Sequence, residues 1–275
     1  MPIDRLHPEH NLHGENRSAL NSVGLITTVK GADSPAYGTG WLAVDACHVV
    51  TAEHVIYGPT FDETAPLGVP VFFYVGQTAH PRTENYGFAR VYGGQVVAHG
   101  KAHQVEDVAD TEGHDWAVVR LDDPVAGLRA LPIVGHDSET YLGTTVLAAG
   151  YPALLLPEDG LSAAGRQLWA DEGPLVKGHG VTGDLDFAVY DVKLQLGAGE
   201  SGGPVIVTED AQVVAEGLIQ AVDTSSALTG KGEQAGLDLS QGHANKLVMF
   251  GTHAAQELRE IIQNTPCTSS VAKRK

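Results

Sequence analysis

The sequence predicts an all-β fold, built as barrels or sandwiches and closed by one C-terminal helix, and three observations carry that reading. Short runs rich in Val, Ile, Leu, Tyr and Phe are separated by clusters of Gly, Pro, Asp and Thr. Glycine and proline are abundant, 33 and 14 in 275 residues, which supplies many turns. No long stretch of helical period separates the runs, which argues against a parallel sheet with crossover helices.

Eleven segments read as strands, in chain order 23–29, 40–44, 48–51, 69–75, 88–97, 116–121, 145–150, 175–178, 187–195, 203–207 and 213–222. Each is a run such as VGLITTV, HVVT, WAVVRL or GPVIV, rich in residues that suit a pleated, buried surface. The turn-rich stretch 122–143, with Pro124 and Pro132, divides the strands into two nearly equal groups and marks a domain boundary. Near the end, Ala255, Leu258, Ile261 and Ile262 fall on one helical face, so a helix over 252–263 is expected to dock on a barrel. No internal repeat is evident.

Composition narrows the function. Hydrophobic residues make up 43% and charged residues 19%, which excludes a disordered chain or a coiled coil. Lys and Arg number 17 against 34 Asp and Glu, a net charge of −17 that repels phosphates and anionic lipid heads, so neither nucleic acid nor a membrane is an expected partner. The longest apolar run is broken by Gly150, Tyr151 and Pro152 and is too short to span a bilayer. The first thirty residues carry no secretory pattern, which favours the cytoplasm, with secretion the alternative if a leader has been removed.

Cys47 and Cys267 lie in neither a CxxC nor a Cys/His metal box. The reading favours two unbridged thiols, Cys47 being a small buried hydrophobe, with a single bridge as the alternative. Two metal hints are set aside, and no metal or cofactor is expected. Glu106, Asp107, Asp110 and Glu112 lack the pattern of a calcium loop and read as a solvated acidic loop. Pro8 breaks any helix that would align His7, His10 and His13.

Three strings carry acyl-transfer chemistry, which needs a nucleophile, a base, a group that orients the base and backbone donors for an oxyanion. In VVTAEH an apolar strand ends in a small-residue turn that presents His54, whose ordinary pKa near 6.5 suits a base. In HDWAVVRL, Asp115 stands directly before a buried strand, where it can accept a hydrogen bond from an imidazole. In GAGESGGP, glycines on both sides of Ser201 let the amides of Gly199 and Ser201 converge in front of the hydroxyl.

VVTAEHV, HDWAVVRL and GESGGP resemble the His, Asp and Ser motifs of the chymotrypsin-fold, trypsin-like serine peptidases, in the chain order His, Asp, Ser. Gly38-Thr39-Gly40-Trp41-Leu42 is similar to the strand that precedes the His motif in bacterial members. The resemblance covers about 23–263 and implies two six-stranded antiparallel barrels with the active site in the cleft between them. Residues 22–124 would be the barrel carrying His and Asp, 125–251 the barrel carrying Ser and the specificity pocket, 1–21 an N-terminal extension, and 252–275 a helix and tail.

By that resemblance His54 is the general base, Asp115 its orienting acid, Ser201 the nucleophile, and the Gly199 and Ser201 amides the oxyanion hole. The substrate is a protein or peptide, and from its placement a cytoplasmic member is expected to be restrained by a narrow pocket, by a regulatory protein partner or by latency. Glutamyl endopeptidases and the high-temperature-requirement proteases resemble the chain more closely than the animal digestive enzymes do, since no Cys follows His54 and no Ile-Val-Gly-Gly start precedes Val23. Glu200 stands where the family usually has Asp or Asn; it is expected to pair with a cation such as Lys193 or to point to solvent.

The pocket walls implied are Lys193 to Ala198 and Leu218 to Asp223, so Gln195, Leu196, Ala198, Gln220, Ala221 and Val222 are the candidate substrate-binding residues. No acid stands at the floor near Gln195, and the second wall lacks the His of glutamyl endopeptidases. Medium-sized apolar or small uncharged residues before the scissile bond are therefore expected, with Asp223 on the solvent side. Two other classes compete. A catalytically silent or latent binding module could use the same fold. An esterase with a strand-to-helix G-x-S-x-G elbow is set aside, because a β-rich run follows Ser201 and the acid and base motifs precede it.

Overall fold

In the computed structural model, the structure describes residues 19–30, 38–57, 67–78, 87–100, 112–152, 168–182, 186–192, 194, 196, 199–210, 212–221 and 245–267. Two closed antiparallel barrels of six strands each are followed by a helix. The first barrel comprises β1 (Val23–Thr27), β2 (Gly38–Leu42), β3 (His48–Thr51), β4 (Pro70–Thr78), β5 (Gly87–His99) and β6 (Ala117–Leu121). The second comprises β7 (Thr145–Gly150), β8 (Trp169–Thr182), β9 (Phe187–Val192), β10 (Pro204–Glu209), β11 (Gln212–Ala221) and β12 (Asn245–Met249). The short helix α1 (Glu53–Tyr57) follows β3, and α2 (Thr252–Asn264) closes the chain's described part.

Barrel closure explains why the strands read as unbroken apolar runs. Alternate residues of one strand point to opposite faces, and here both faces are covered. In β7, Val146 and Ala148 fill the second barrel, while Leu147 and Ala149 join the layer shared by both barrels and α2. In β3, Val49 fills the first barrel and Val50 enters the shared layer. That layer also takes Trp41, Trp116, Tyr151, Ile206 and Leu218. Ala19 and Leu20, placed by the sequence in an extension, are buried in it too.

The sequence missed β12. Its run NKLVM is short, opens on a polar pair and follows a long polar stretch, so only its register against β9 and β11 makes it a strand. Between the barrels the connector bonds to both sides. Leu131 exchanges backbone hydrogen bonds with Leu42 and Val44, and Pro132 and Val134 do so with Ala215.

Helix α2 buries Ala254, Ala255, Leu258 and Ile262, close to the face its periodicity predicts. Gly251 at its N-cap offers no side chain, and Asp186 takes that role from the β8–β9 turn, accepting from Ala254 N at 2.9 Å. The helix brings its C-terminus onto the first barrel, where His48 Nε2 meets the Thr265 carbonyl at 2.8 Å. There the expectation of two unbridged thiols fails: Cys47 and Cys267 form a disulfide, with Cα atoms 5.8 Å apart. The physical reason is the docking of α2, which carries a residue 220 positions away to the foot of β3. The calcium reading at Glu106, Asp107 and Asp110 and the His7, His10, His13 cluster lie outside the described residues.

Removal of the bridge should cost stability, since it closes a very long loop in the unfolded chain. The double variant Cys47→Ala/Cys267→Ala is expected to unfold with a free energy lower by about 2–5 kcal/mol, measured by denaturant titration. Thiol titration of the denatured, unreduced wild type should find no free thiol.

Candidate functional site

His54 stands in the first turn of α1, immediately beyond β3, so the small-residue turn expected there is a short helix. Asp115 follows a single 3-10 turn and precedes β6, the strand that pairs with β3 in register Thr51 to Ala117. Neighbouring strands thus deliver His54 and Asp115 to one end of the first barrel. The Asp115 carboxylate holds the histidine twice: Oδ1 accepts from the His54 backbone N–H at 2.9 Å, and Oδ2 lies 2.6 Å from Nδ1. Asp115 is buried, whereas the His54 side chain is 38% exposed, so the acid is enclosed and part of the imidazole is open to solvent.

Desolvation of the ring lowers the His54 pKa, but the charge of Asp115 and its hydrogen bond, with help from Glu53, outweigh that and leave it above 6.5. Glu53 is a residue the sequence reading did not single out. It is buried, and His99 Nδ1 lies 3.1 Å from its Oε1, so the carboxylate beside the base is itself held. The only signal in the sequence was its place directly before His54.

Ser201 lies on a turn that ends at β10, flanked by Gly199 at φ 96° and Gly202 at φ 82°. Both angles are in the region that favours glycine. Space is equally decisive at Gly202: a Cβ there would fall 2.3 Å from Thr51 Oγ1 and 2.6 Å from Ala52 N. The serine turn therefore presses on the end of β3, the strand that leads to His54. Among the described residues neither the Gly199 nor the Ser201 amide donates a hydrogen bond, while Gly202 N and Gly203 N bond to Ile219 O and Glu200 O. The Ser201 hydroxyl makes a long contact, 3.5 Å, with the Gln220 carbonyl.

Thr39 was legible only as part of the GTGWL strand, yet it joins the two barrels at this point. Its N–H donates to Ser201 O at 2.9 Å and its carbonyl accepts from Thr51 Oγ1 at 2.7 Å. Its hydroxyl donates to Gly199 O and accepts from Tyr151 N, both at 2.9 Å.

Two expectations need adjusting. Of the two alternatives for Glu200, solvent is ruled out: it is 2% exposed, with its Cα and Cβ packed against Gly150. Leu196 does not stand open on a pocket wall: it is buried among the second-barrel core residues, on the segment after β9. Gln220 is also buried, next to Ser201, with its Oε1 lacking a hydrogen-bond partner among the described residues. Ala221 ends β11 opposite Lys246. Lys193, Gln195, Ala198, Val222 and Asp223 lie outside the described residues.

Two outcomes follow. Titration of the His54 ring by NMR should give a pKa above 6.5, and Asp115→Asn should lower it, because the largest upward cause is then gone. The sign for stability is fixed by the same shift: the His54–Asp115 attraction stabilises the fold fully below the unfolded value and is lost as pH rises through the folded one. Thr39→Val, which keeps the shape and removes the hydroxyl, leaves Gly199 O and Tyr151 N unpaired. It should destabilise the protein by about 1–3 kcal/mol and slow any reaction at Ser201 by on the order of 10²-fold.

The comparisons with known proteins agree with the two-barrel fold. No curated protein matches the sequence significantly. Among solved structures, a thermostable serine protease, AL20, from an extremophilic microorganism superposes with a TM-score of 0.53 at 16% identity, over 90% of this chain and 100% of that one. A Glu endopeptidase in complex with MPD gives 0.55 at 17% identity, over 94% and 97%. At such identities these likenesses speak for the fold. The family model for the trypsin-like peptidase domain matches residues 38–215, a span that holds His54, Asp115 and Ser201, and the chain thus belongs to the trypsin-like serine peptidases of chymotrypsin fold.

Proposed function

We propose that the chain is an endopeptidase that cleaves peptide bonds through an acyl-enzyme formed on Ser201, with His54 and Asp115 completing a triad. The observation that carries this reading is the grip of Asp115 on His54. With Nδ1–H donated to Oδ2 at 2.6 Å, the tautomer leaves the Nε2 lone pair for the cleft. His54 then takes the Ser201 proton as Oγ attacks the scissile carbonyl, and returns it to the leaving amine. The Gly199 and Ser201 amides, which donate to no described residue, receive the oxyanion. The long contact of the serine hydroxyl with Gln220 O is a weak competitor for that proton.

For the substrate, the support is limited to the second wall. Its strand reads Gly217-Leu218-Ile219-Gln220-Ala221, which offers no charge, and Gln220 adds one buried amide beside the nucleophile. A small uncharged or medium-sized apolar residue before the scissile bond suits that wall. The disulfide supports an oxidising compartment over the cytoplasm, since such bridges are rare where thiols are kept reduced.

Purified protein labelled with a fluorophosphonate should gain one adduct by intact mass, and Ser201→Ala should gain none while folding normally. Asp115→Asn should lower the turnover number by about 10⁴. Well-folded wild type that takes no adduct would favour the silent or latent module, with the buried Glu200 as the first residue to change.

A further inference from the structure

Three ionisable side chains, one from the connector and two from a hairpin of the second barrel, meet outside the triad. His136 comes from the connector, Glu209 from the end of β10 and Glu216 from the middle of β11. His136 Nε2 lies 2.8 Å from Glu209 Oε1 and 3.5 Å from Glu216 Oε1, and the three donor atoms fall within 4.8 Å of one another. Donors bound at about 2.0–2.1 Å to a tetrahedral ion stand roughly 3.4 Å apart. The cluster is already close to that size.

The polar groups there are poorly satisfied without a further body. The Glu216 side chain is 2% exposed, and its Oε1 and His136 Nε2 are both shielded and without a hydrogen-bond partner. The approach of Nε2 to Glu209 is short but lacks hydrogen-bond geometry. Glu216 shares a hydrogen bond with Glu209, but its unmet Oε1 is costly to bury unless something meets it. Among the described residues no Lys or Arg pairs with Glu209 or Glu216.

The backbone around the cluster is held firmly, as a metal site requires of its surroundings. The His136 N–H donates to the Tyr141 hydroxyl at 3.0 Å, and that hydroxyl donates to Phe250 O at 2.8 Å. The Tyr141 ring packs edge-on against the imidazole. The Glu216 carbonyl accepts from Phe250 N at 2.7 Å. Glu209 is 39% exposed, which leaves a way in for an ion and a place for a water ligand.

We propose that His136, Glu209 and Glu216 bind one divalent cation of the Zn²⁺ class, which clamps the inter-barrel connector to the β10–β11 hairpin. One imidazole with two carboxylates is a donor set that zinc accepts, and it offsets a divalent charge. Ca²⁺ takes 6–8 oxygen ligands and fits poorly here. Mn²⁺ binds the same donors more weakly. The ion's role is structural, since its ligands lie on the connector and the hairpin and not on the segments that carry His54, Asp115 and Ser201.

The test uses EDTA-treated full-length protein equilibrated with ZnCl₂, MnCl₂ or CaCl₂, with bound metal measured by elemental analysis and unfolding by thermal melt. One zinc per chain is expected, with a Tm rise of about 5–10 °C at a hundredfold excess over Kd, a smaller rise with manganese and none with calcium. Glu209→Gln and His136→Asn should each weaken zinc binding at least ~10-fold. Glu209 is partly exposed, so its variant should melt like the wild type in EDTA. Absence of zinc binding, or zinc binding that both substitutions leave unchanged because others of the 13 histidines carry it, would overturn the proposal.

Discussion

Everything at the candidate site depends on one residue of the first barrel gripping a loop of the second. Thr39 spends its N–H on Ser201 O and its hydroxyl on Gly199 O, so both ends of the serine turn are referred to β2. Its carbonyl is fixed in turn by Thr51, at the end of the strand that leads to His54. In the proposed triad a nucleophile on one barrel and a base on the other are useful only if held to a fraction of an ångström, because a 1 Å misplacement can cost about 10²-fold in rate. The short path Ser201, Thr39, Thr51 supplies that reference. The absence of a side chain at Gly202 is what lets the two barrels approach closely enough for it.

Burial of both strand faces is the second constraint. A six-stranded barrel fills its own interior, and the shared layer then covers the outer face of the strands that meet it. Slipping one strand by a single position would exchange Leu147 for Val146 across the sheet without exposing either to water. Register must therefore be set by shape and polar contacts more than by hydrophobicity. Trp41, Tyr151 and Trp116 in the shared layer provide the shape. The bulges of β5, β8 and β11 provide the local breaks in pairing.

These features explain which parts of the molecule were readable from its sequence. The local settings of His54, Asp115 and Ser201 could be read because each is fixed by neighbours within a few positions: a strand end, a strand start, a pair of glycines. The fold class was readable from the same short-range texture. What depends on docking was not. The Cys47–Cys267 bridge exists because α2 lands at the foot of β3, a fact of tertiary packing that spacing does not encode. The burial of Leu196 depends on its packing against the second-barrel core, and that of Glu200 on the closeness of Gly150. Thr39 carries no chemistry of its own and becomes important only through its partners.

The remaining question is why a two-barrel protein should carry fasteners so far from its reacting groups. Barrels are stiff bodies, so the weak coordinate is their motion relative to each other, and a single seam at Thr39 would leave a hinge. The connector removes one degree of that freedom by bonding to Leu42 and Val44 on one side and to Ala215 on the other. Helix α2 removes another, because it packs into the shared layer and is tied to the first barrel through His48 and the disulfide. Contacts at separate points resist rotation that one contact cannot. A cation at His136, Glu209 and Glu216 would stiffen the same connector against β10 and β11, the strands that carry the serine turn on their near ends. Distant fasteners and catalytic alignment are in this sense one mechanical problem, and loosening any of them should be felt first as misplacement of Ser201 relative to His54.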